Sequence, residues 1–466
     1  MLKANLADAR GQPVVAANPD SVRGLDAAVD AYLGARSDAR DRLDAVLADD
    51  PSCVLAHCMD GYLNLLSSKR AGFTRAEAAL ENATRAAGRL SGLAPRERSH
   101  VAALDAWCHG DLRGAVRHWD AALDHAPLDI IALRVSQFVL SYLGESARMR
   151  VTIERALPAW GPHVPGYGYV LGCHAYALEE SGDYAQAEST GRRAVEINPS
   201  DIWAAHAVAH VAEMQGRLGD GLMWIRDVAP HWALCNNFTL HLRWHEALYH
   251  LDLDRTTTVL GLYDAVVRRV STDEYLDVAN AVSLLWRLEQ AGIDVGDRWR
   301  ELADCARGHQ HDHALVFVDL HYLMALAAVD DTRSVDEVLE SCERFARLGG
   351  DTEATVMAEI GLPLARAVVA HRRGDFGDVV DGLMPVRDRI KRIGGSHAQR
   401  DLFELLLIDA AVRARRLPIA DELLAERTSK RPRNIWGWSQ YAKVLDALGA
   451  SGAAAAAHRA DALRAS

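Results

Sequence analysis

The chain has 466 residues, of which 49% are apolar and 25% are charged, so it is long enough to bury a full core. Asp and Glu outnumber Lys and Arg by 64 to 52, and no run of Lys and Arg interrupts this excess of negative charge. A net charge of −12 repels phosphate backbones and anionic lipids, so we expect neither nucleic acid nor a membrane as a partner.

The cysteines and the first residues of the chain both indicate a cytoplasmic protein. The seven cysteines are odd in number and form no C-x-x-C motif, so their spacing fits neither a disulfide framework nor a zinc knuckle. Free thiols are typical of a reducing compartment. The N-terminus lacks the basic and then apolar pattern of a signal peptide, and no segment reaches the roughly 18 continuous apolar residues of a membrane span. We expect residues 1–20 to form an irregular segment.

From residue 21 onward the sequence predicts helices almost everywhere. Alanine and leucine dominate, and apolar residues recur at helical spacing, whereas strand signals are scarce. The residues that interrupt or end these predicted helices recur at regular intervals. Two glycines are each followed at +5, +12 and +17 by two alanines and a proline: Gly110 by Ala115, Ala122 and Pro127, and Gly182 by Ala187, Ala194 and Pro199.

A 34-residue period with small residues at fixed positions and a closing proline is the tetratricopeptide signature. Gly144 follows Gly110 by 34 residues, and Gly216 follows Gly182 by the same distance. The glycine ends the first helix of a unit in a tight turn, and the proline ends the second helix. We therefore predict an all-α fold, a right-handed α-solenoid of degenerate tetratricopeptide-like hairpins. It runs as a single continuous array over residues 21–466, with the clearest repeats over 96–250.

Two histidine pairs occupy positions that face the concave groove in tetratricopeptide units, namely positions 5, 9 and 12 of the first helix. Counted from Ile202 as position 1, these positions hold His206, His210 and Glu213. Their i, i+4, i+7 spacing places them on one face of a helix. The flanking units hold Gly172, Tyr176 and Glu179 before and, shifted by one residue, His241, His245 and Leu248 after.

Because the pairs are 35 residues apart, stacked units would direct four imidazoles at one place. Two neutral imidazoles one turn apart chelate a divalent ion, and a carboxylate such as Glu213 completes a ligand set suited to Zn, Fe or Mn. Two metal-free arrangements also fit: a groove lining held by hydrogen bonds, and a site in which histidine acts as acid, base or anion binder. The HxxxHxxE spacing lacks the Glu inside the pair that zinc proteases use, which argues against protease chemistry.

A downstream segment, HALVFVDLHYLMAL, adds candidate polar residues. His313, Phe317 and His321 share one helix face, and Asp319 lies on another. This segment also fits an ordinary buried helix.

A second segment, GGSHAQRDLFE, predicts the start of a helix. Ser396 and Gln399 have the spacing of a capping box. His397, Arg400 and Asp401 would then cluster at the helix N-terminus, where the helix dipole favours an anion.

Seven segments carry a resemblance to a known family: LAHCMDGYLNLL (55–66), RERSHVAALDAWCHGDL (96–112), LPAWGPHVPGYGYVLGCHAYALEESGDYAQAE (157–188), DIWAAHAVAHVAEMQGR (201–217), HLRWHEALYHLDL (241–253), FVDLHYLMALAA (317–328) and GGSHAQRDLFE (394–404). In this order, over nearly the whole chain, they resemble the tetratricopeptide repeat protein 38 family. The resemblance implies an α-helical repeat protein and names no reaction. The family motifs match at His206, His210, Glu213, His241, His245, Asp319, His321, His397, Gln399, Arg400 and Asp401.

Two functions follow from these residues. The first is a binding module whose groove receives a small molecule, a metal ion or a peptide, with Tyr176, Glu179, Asp319, Gln399 and Arg400 as further contacts. The alternative is a metal-dependent hydrolase or oxidoreductase in which the four histidines bind the ion and Glu213 is a ligand or a base. In the enzyme, His321 or a His397–Asp401 pair would shuttle protons or anchor the substrate. The sequence leaves open whether the protein forms a homo-oligomer and whether the solenoid is open or closed.

Overall fold

Helices make up most of the computed structural model, which describes residues 3–89 and 93–464. In chain order they are α1 Pro19–Leu33, α2 Ala39–Asp49, α3 Val54–Leu66, α4 Arg70–Gly88, α5 Pro95–Cys108, α6 Leu112–His125, α7 Ile130–Tyr142, α8 Ser146–Ala156, α9 Tyr167–Glu180, α10 Tyr184–Ile197, α11 Ile202–Met214, α12 Leu218–Val228, α13 Phe238–Asp252, α14 Thr256–Leu262, α15 Tyr275–Gln290, α16 Arg298–Arg307, α17 Val316–Ala328, α18 Thr332–Phe345, α19 Thr352–Val356, α20 Leu362–Arg373, α21 Phe376–Leu383, α22 His397–Arg413, α23 Leu417–Lys430, α24 Ile435–Ala447 and α25 Ala453–Arg464. Consecutive helices pack against each other as hairpins, so the predicted all-α solenoid of tetratricopeptide-like units is confirmed.

Short helical turns of other types connect some of these helices. A π-helical turn at Tyr263–Val267 continues α14, and another at Met357–Gly361 joins α19 to α20. Turns of 3₁₀-helix lie at Leu157–Ala159, Ala229–His231 and Met384–Ile393. The last of these leads directly into the segment that starts α22.

The N-terminal segment forms a β-hairpin rather than the irregular structure that we predicted. Strand β1 (Lys3–Ala7) pairs antiparallel with β2 (Pro13–Ala16). The backbone N–H of Val15, within β2, donates to Glu97 Oε1 of α5 over 2.8 Å. The prediction of an irregular segment was wrong because β2 has only a short run of β-branched residues, which is a weak strand signal in a sequence. The packing of this strand on helices stabilises the hairpin.

The glycines that the repeat pattern placed at turns adopt the left-handed conformation. Gly110, Gly144, Gly182 and Gly216 have φ angles of +77°, +64°, +84° and +63°. This conformation ends the first helix of each unit and strains any residue other than glycine. The alanines of the pattern are all fully buried: Ala115, Ala122, Ala187 and Ala194. Glycine turns and alanine contacts thus set the repeat geometry as the spacing predicted.

The C-terminal hairpins lie across the turn ends of the N-terminal hairpins. The Thr352 N–H donates to the Gly110 carbonyl over 2.9 Å, and Arg464 Nε pairs with Asp254 Oδ2 at 3.1 Å. Between these two contacts along the chain, α22 packs on α11 and α15. The solenoid therefore curls back on itself, and its groove-facing helices line an internal chamber.

One helical stretch among the described residues, Thr352–Arg373, is long and apolar enough to cross a membrane by length and composition alone. It has 22 residues, and an 18-residue window within it has a mean hydropathy of 1.2, with 56% of that window buried inside the protein. Its α20 portion packs against α17, α18 and α22. These contacts account for its apolar composition as that of a core helix.

Candidate metal centre

The two histidine pairs meet in the interior and form what we call the histidine tetrad. Helix α11 supplies His206 and His210, α13 supplies His241 and His245, and none of the four is more than 2% exposed. One nitrogen from each ring lies within 4.8 Å of the other three. The closest contacts join His206 Nε2 to His210 Nε2 at 2.8 Å and to His241 Nε2 at 3.0 Å. The in-register spacing thus brings four imidazoles to one place.

Two rings of the tetrad have polar acceptors behind them. His245 Nδ1–H donates to Glu213 Oε2 over 2.7 Å, and His241 Nδ1–H donates to Asn280 Oδ1 over 3.0 Å. These hydrogen bonds select the tautomer in which Nε2 carries a lone pair. Both rings therefore present an unprotonated Nε2 towards the other histidines.

The converging nitrogens of the tetrad carry too few protons to form a hydrogen bond at each of their close contacts. His206 Nε2 contacts both His210 Nε2 and His241 Nε2, and a single proton on it serves only one of these contacts. The Nε2 of His245 is buried and has no hydrogen-bond partner among the residues that the structure describes. Buried polar atoms without partners are costly. One cation at the centre of the tetrad would bind the lone pairs of all four nitrogens and so remove this cost.

The protonation states of three rings favour metal binding. Burial, followed by the neighbouring imidazoles, lowers the pKa of His206, His241 and His245 well below the ordinary value. These rings are neutral at pH 7, which is the form that binds a metal ion.

His210 differs from the other three because a buried carboxylate lies behind it. Glu179 Oε2 is 3.5 Å from His210 Nδ1, an ion-pair distance that is too long for a good hydrogen bond. Burial lowers the pKa of His210, but Glu179 and further carboxylates outweigh it, and the net shift is upward. Glu179 is itself fully buried, and within the described ranges neither of its carboxylate oxygens has a hydrogen-bond partner. Either a proton or a metal ion at His210 therefore balances this negative charge.

The size of the tetrad fits a transition-metal ion. Zinc–nitrogen bonds of about 2.0–2.1 Å in a tetrahedron separate the ligand nitrogens by about 3.3 Å. The contacts of 2.8 and 3.0 Å around His206 are a few tenths of an ångström shorter, and all four nitrogens lie within 4.8 Å of one another, so an ion requires rotations of the rings that even out these separations. Tyr176 borders the same rings, with its centroid 5.7 Å from that of His206 and 5.8 Å from that of His210.

A cavity adjoins the tetrad on the side of His206 and His241. This inner cavity has a volume of about 70 Å³, and an outer cleft of about 650 Å³ lies next to it. The walls that both spaces share are Arg134, Phe138, Tyr142, Trp203, Phe238, Tyr275 and Leu276. The outer cleft has the size of an ordinary small-molecule site. The tetrad thus borders a mostly aromatic space that a small molecule can fill.

Arg134 and Asn280 belong to this site, although we did not select them from the sequence. Counted from the first residue of its helix, Arg134 is position 5 of α7, as His206 is of α11, and Asn280 is position 6 of α15. Asn280 accepts the His241 hydrogen bond, and Arg134 lines the inner cavity. Arg134 precedes Gly172 by 38 residues and Asn280 follows His241 by 39, so a period of 34 or 35 residues passes both by. A count from the start of each flanking helix, to position 5 or 6, is the signal that would have found them.

The start of α22 holds an anion, but that anion comes from the protein itself. The capping box of Ser396 and Gln399 is present, and α22 begins at His397 as predicted. The His397 N–H donates to Glu180 Oε1 over 2.8 Å, and Arg400 Nη2 lies 3.1 Å from Glu180 Oε2. Glu180, at the end of α9, therefore occupies the position that we expected an external anion to take. Of these residues only Gln399 lines the inner cavity.

The predicted His397–Asp401 pair is not formed. Asp401 accepts two hydrogen bonds from Arg427, at 2.6 and 3.0 Å, and lies 3.4 Å from Arg431. Burial raises the pKa of Asp401, but the Arg427 guanidinium outweighs it and holds that pKa below its usual range. Two guanidinium groups compete for this carboxylate more strongly than an imidazole does, so Asp401 serves an internal ion pair.

His321 and Asp319 also lie apart from the tetrad. His321 Nδ1 donates to the Phe317 carbonyl over 2.7 Å, and burial lowers the pKa of His321 to about 4. Asp319 Oδ2 is 3.2 Å from His313 Nδ1, whose Nε2 is 2.8 Å from Ser341 Oγ. Phe317 lines the inner cavity, whereas His321 and Asp319 do not. The sequence placed Phe317, Asp319 and His321 on one helix, as observed, but the side chains of Asp319 and His321 serve other contacts. The expectation that His313 shares a face of this helix was wrong, because α17 begins at Val316 and His313 precedes it.

The fold and the tetrad together define a class: a closed tetratricopeptide-like solenoid with a buried four-histidine cluster. No family model matches the chain. Similar solved structures include the human IFIT1 dimer with PPP-AAAA, at 11% identity and a TM-score of 0.39, covering 96% of this chain and 91% of that chain. A structure of Naa15/Naa10 bound to HypK-THB has 13% identity and a TM-score of 0.25, covering 91% of this chain and 66% of that chain. At this level of similarity, nothing about a ligand or a reaction of this chain follows from them.

Proposed function

We propose that this protein is a small-molecule-binding solenoid that holds one divalent transition-metal ion between His206, His210, His241 and His245. The observation that carries this proposal is the convergence of four buried imidazoles, with one nitrogen of each within 4.8 Å of the others. The acceptors behind His241 and His245 support it, because metal-binding histidines commonly donate their other N–H to such groups.

The donor set favours zinc or iron over manganese. Imidazole nitrogen suits Zn, Fe, Cu and Ni, whereas carboxylate oxygen suits Mn. Glu213 and Glu179 lie behind histidines rather than among the converging nitrogens. We therefore assign them as positioning residues instead of ligands, and their negative charge offsets part of the charge of a buried dication.

A second candidate function is a metal-dependent hydrolase or oxidoreductase. The observation that favours it is the inner cavity, which reaches His206 and His241, so that a molecule bound there lies against the ligand set. When bound, the ion would supply Lewis-acid or redox chemistry. Turnover of a small molecule by the metal-loaded protein, lost together with the ion, distinguishes the enzyme from the binding module.

Metal analysis of the purified, untagged protein tests the proposal. We expect about one equivalent of metal per chain in the wild type and almost none in the His206→Ala/His210→Ala variant. His309→Ala/His313→Ala is a matched control, because this pair has the same spacing but contacts Asp312, Asp319 and Ser341 instead. Circular dichroism checks that each variant is folded. A wild-type protein without stoichiometric metal, prepared anaerobically and without chelators, would contradict the proposal.

Three further assignments rest on the sequence and stay predictions. The quoted segments support membership of the tetratricopeptide repeat protein 38 family, and the free cysteines support a cytoplasmic location. The absence of nucleic acid among the partners is an expectation from the net charge of −12 alone. A peptide ligand is less well supported than a small molecule, because the groove is an internal chamber.

A further inference from the structure

We infer that the inner cavity and the outer cleft that adjoins it bind a small organic acid, whose carboxylate pairs with Arg134 and whose apolar body lies against the aromatic wall that the two spaces share. This inference rests on the proposed function in one respect: the acid is the small molecule that lies beside the metal centre. It goes further in naming the chemical class of that molecule and the residue that recognises it.

Arg134 is held in place by three side chains. Its guanidinium carbon lies 4.1 Å from the ring centroid of Trp203 and 4.6 Å from that of Phe138. Its Nη1 donates to Cys173 Sγ over 3.3 Å. The residue is 6% exposed, so the aromatic rings and the thiol fix the guanidinium in one orientation inside the cavity wall.

One complete edge of this guanidinium has no partner. Nε and Nη2 of Arg134 are both buried, and neither has a hydrogen-bond partner in the described part of the chain. These two groups form the edge that binds a carboxylate with two parallel hydrogen bonds. The same protein uses this edge elsewhere: Arg36 donates from Nε and Nη2 to the two carboxylate oxygens of Asp38, each over 2.9 Å. Arg134 therefore presents the geometry of half of a bidentate ion pair.

Protein carboxylates do not complete the pair. Asp201 is close enough for Arg134 to act on its pKa, which burial raises to about 6. Asp201 Oδ1 accepts from the Trp203 and Ala204 N–H groups at the start of α11 over 3.1 and 3.0 Å. Asp201 Oδ2 has no hydrogen-bond partner among the described residues, so this carboxylate acts on Arg134 through its charge without a bond to the guanidinium. A buried guanidinium without a bonded anion is unfavourable, which argues for an anion that arrives with the ligand.

The chemistry of the walls limits the ligand to one negative charge and an apolar body. Arg134 is the only Arg or Lys among the residues that line the inner cavity. Phe138, Trp203 and Phe238 form adjoining aromatic surfaces, with the Trp203 and Phe238 rings stacked at 4.2 Å. A single guanidinium edge matches a carboxylate, whereas a doubly charged phosphate commonly draws further cations. Because the same cavity reaches His206 and His241, an acid anchored at Arg134 directs its other end towards the tetrad.

Isothermal titration calorimetry with matched acids and amides tests the inference. The probes are phenylacetate and 3-phenylpropionate, their neutral amides, and phenyl phosphate. We expect each acid to bind the wild type at least about tenfold more tightly than its amide, since the amide leaves the Arg134 edge poorly paired. Arg134→Met removes this preference. Arg40→Met is the control, because Arg40 lines the outer cleft but already pairs with Asp44 and Asp60.

Several results would overturn the inference. These are equal affinities for acid and amide in the wild type, no detectable binding of either acid at millimolar concentration, tighter binding of phenyl phosphate, or a preference that survives in Arg134→Met. If Arg134→Met does not fold, Arg134→Lys replaces it. Lysine keeps the charge but lacks the planar edge, so we expect the preference to fall at least about threefold, and an unchanged preference is contrary to the inference.

Metal content measured on the same samples separates the two proposals. A wild-type protein that lacks metal but keeps the acid preference contradicts the metal centre alone. A wild-type protein that holds metal but binds acid and amide equally contradicts the carboxylate site alone.

Discussion

His245 donates a hydrogen bond from Nδ1 to Glu213 Oε2 over 2.7 Å, and both side chains are buried. The two residues lie on neighbouring inner helices, α13 and α11. The carboxylate fixes the ring tautomer and increases the basicity of Nε2, which faces the other histidines. Glu213 is therefore a positioning residue that acts through His245.

We expect Glu213→Gln to weaken metal binding about 10- to 100-fold, because an amide keeps the shape of the contact but removes its charge. Competition with a chromophoric zinc chelator measures this affinity. Glu188→Gln, which removes a partly exposed carboxylate paired with Arg217, is the control and should leave the affinity unchanged. Equal affinities of Glu213→Gln and the wild type would show that Glu213 has no part in the site.

Removing the ion should destabilise the fold. A ligand that binds only the native state at about 1,000 times its Kd contributes about 4 kcal/mol, so stripping the metal lowers Tm by several degrees. We expect this loss in the wild type on dialysis against a chelator, and recovery on adding zinc. The His206→Ala/His210→Ala variant should show no response to either treatment. An identical chelator response in that variant would place the ion elsewhere.

The burial of Glu353, which lies far from the tetrad in sequence, makes the free energy of unfolding depend on pH. Its Oε2 accepts from the Val316 N–H over 2.9 Å, its Oε1 has no hydrogen-bond partner in the part of the chain that is described, and burial raises the pKa of Glu353 to about 8. The folded pKa lies above the unfolded value of about 4.3. The stabilisation by this group is therefore complete below about pH 4.3, and it is lost as the pH rises through about 8.

We expect Glu353→Gln to remove this pH dependence. Relative to the wild type, its Tm should rise by roughly 4 °C or more at about pH 8.5 and show no gain at about pH 5. Thermal melts at the two pH values measure the difference. Glu359→Gln, at an exposed position, is the control. A wild-type Tm that falls with pH as steeply as that of Glu353→Gln would contradict the assignment.

Substitutions at two turn glycines distinguish the stability cost of backbone strain from that of a steric collision. Gly110 and Gly182 both have left-handed φ angles, but a Cβ on Gly110 would collide with Asp351, whereas a Cβ on Gly182 meets nothing within 4 Å. We expect Gly182→Ala to cost about 1 kcal/mol from strain, and Gly110→Ala to cost roughly 1–3 kcal/mol more from the collision. Urea denaturation measures both. Equal costs would mean that the C-terminal hairpins do not cover this turn.

The repeat and the histidine register were predictable because both are periodic. Helical spacing and glycine turns are local properties, and the 35-residue offset of the histidine pairs follows from stacking one unit on the next. Contacts between distant segments carry no such period. The pairing of Glu180 with the start of α22 spans 217 residues, and no local pattern distinguishes Glu180 from an exposed glutamate.

Arg134 was missed for a different reason. It occupies the same repeat position as His206, but an arginine on a helix is ordinarily a solvated surface residue. Its lack of an ion partner becomes visible only once the surrounding side chains are placed. The short β-hairpin was missed because two strands of 5 and 4 residues are weaker signals than a repeat.

X-ray absorption at the metal edge of the zinc- or iron-loaded protein shows which atoms bind the ion. We expect four nitrogen neighbours at about 2.0–2.1 Å with the outer scattering of imidazole rings. We also expect His206→Ala/His210→Ala to hold too little metal to give this spectrum. A spectrum dominated by oxygen or sulphur neighbours, or one that is unchanged in the double variant, would contradict a metal centre built from the four histidines.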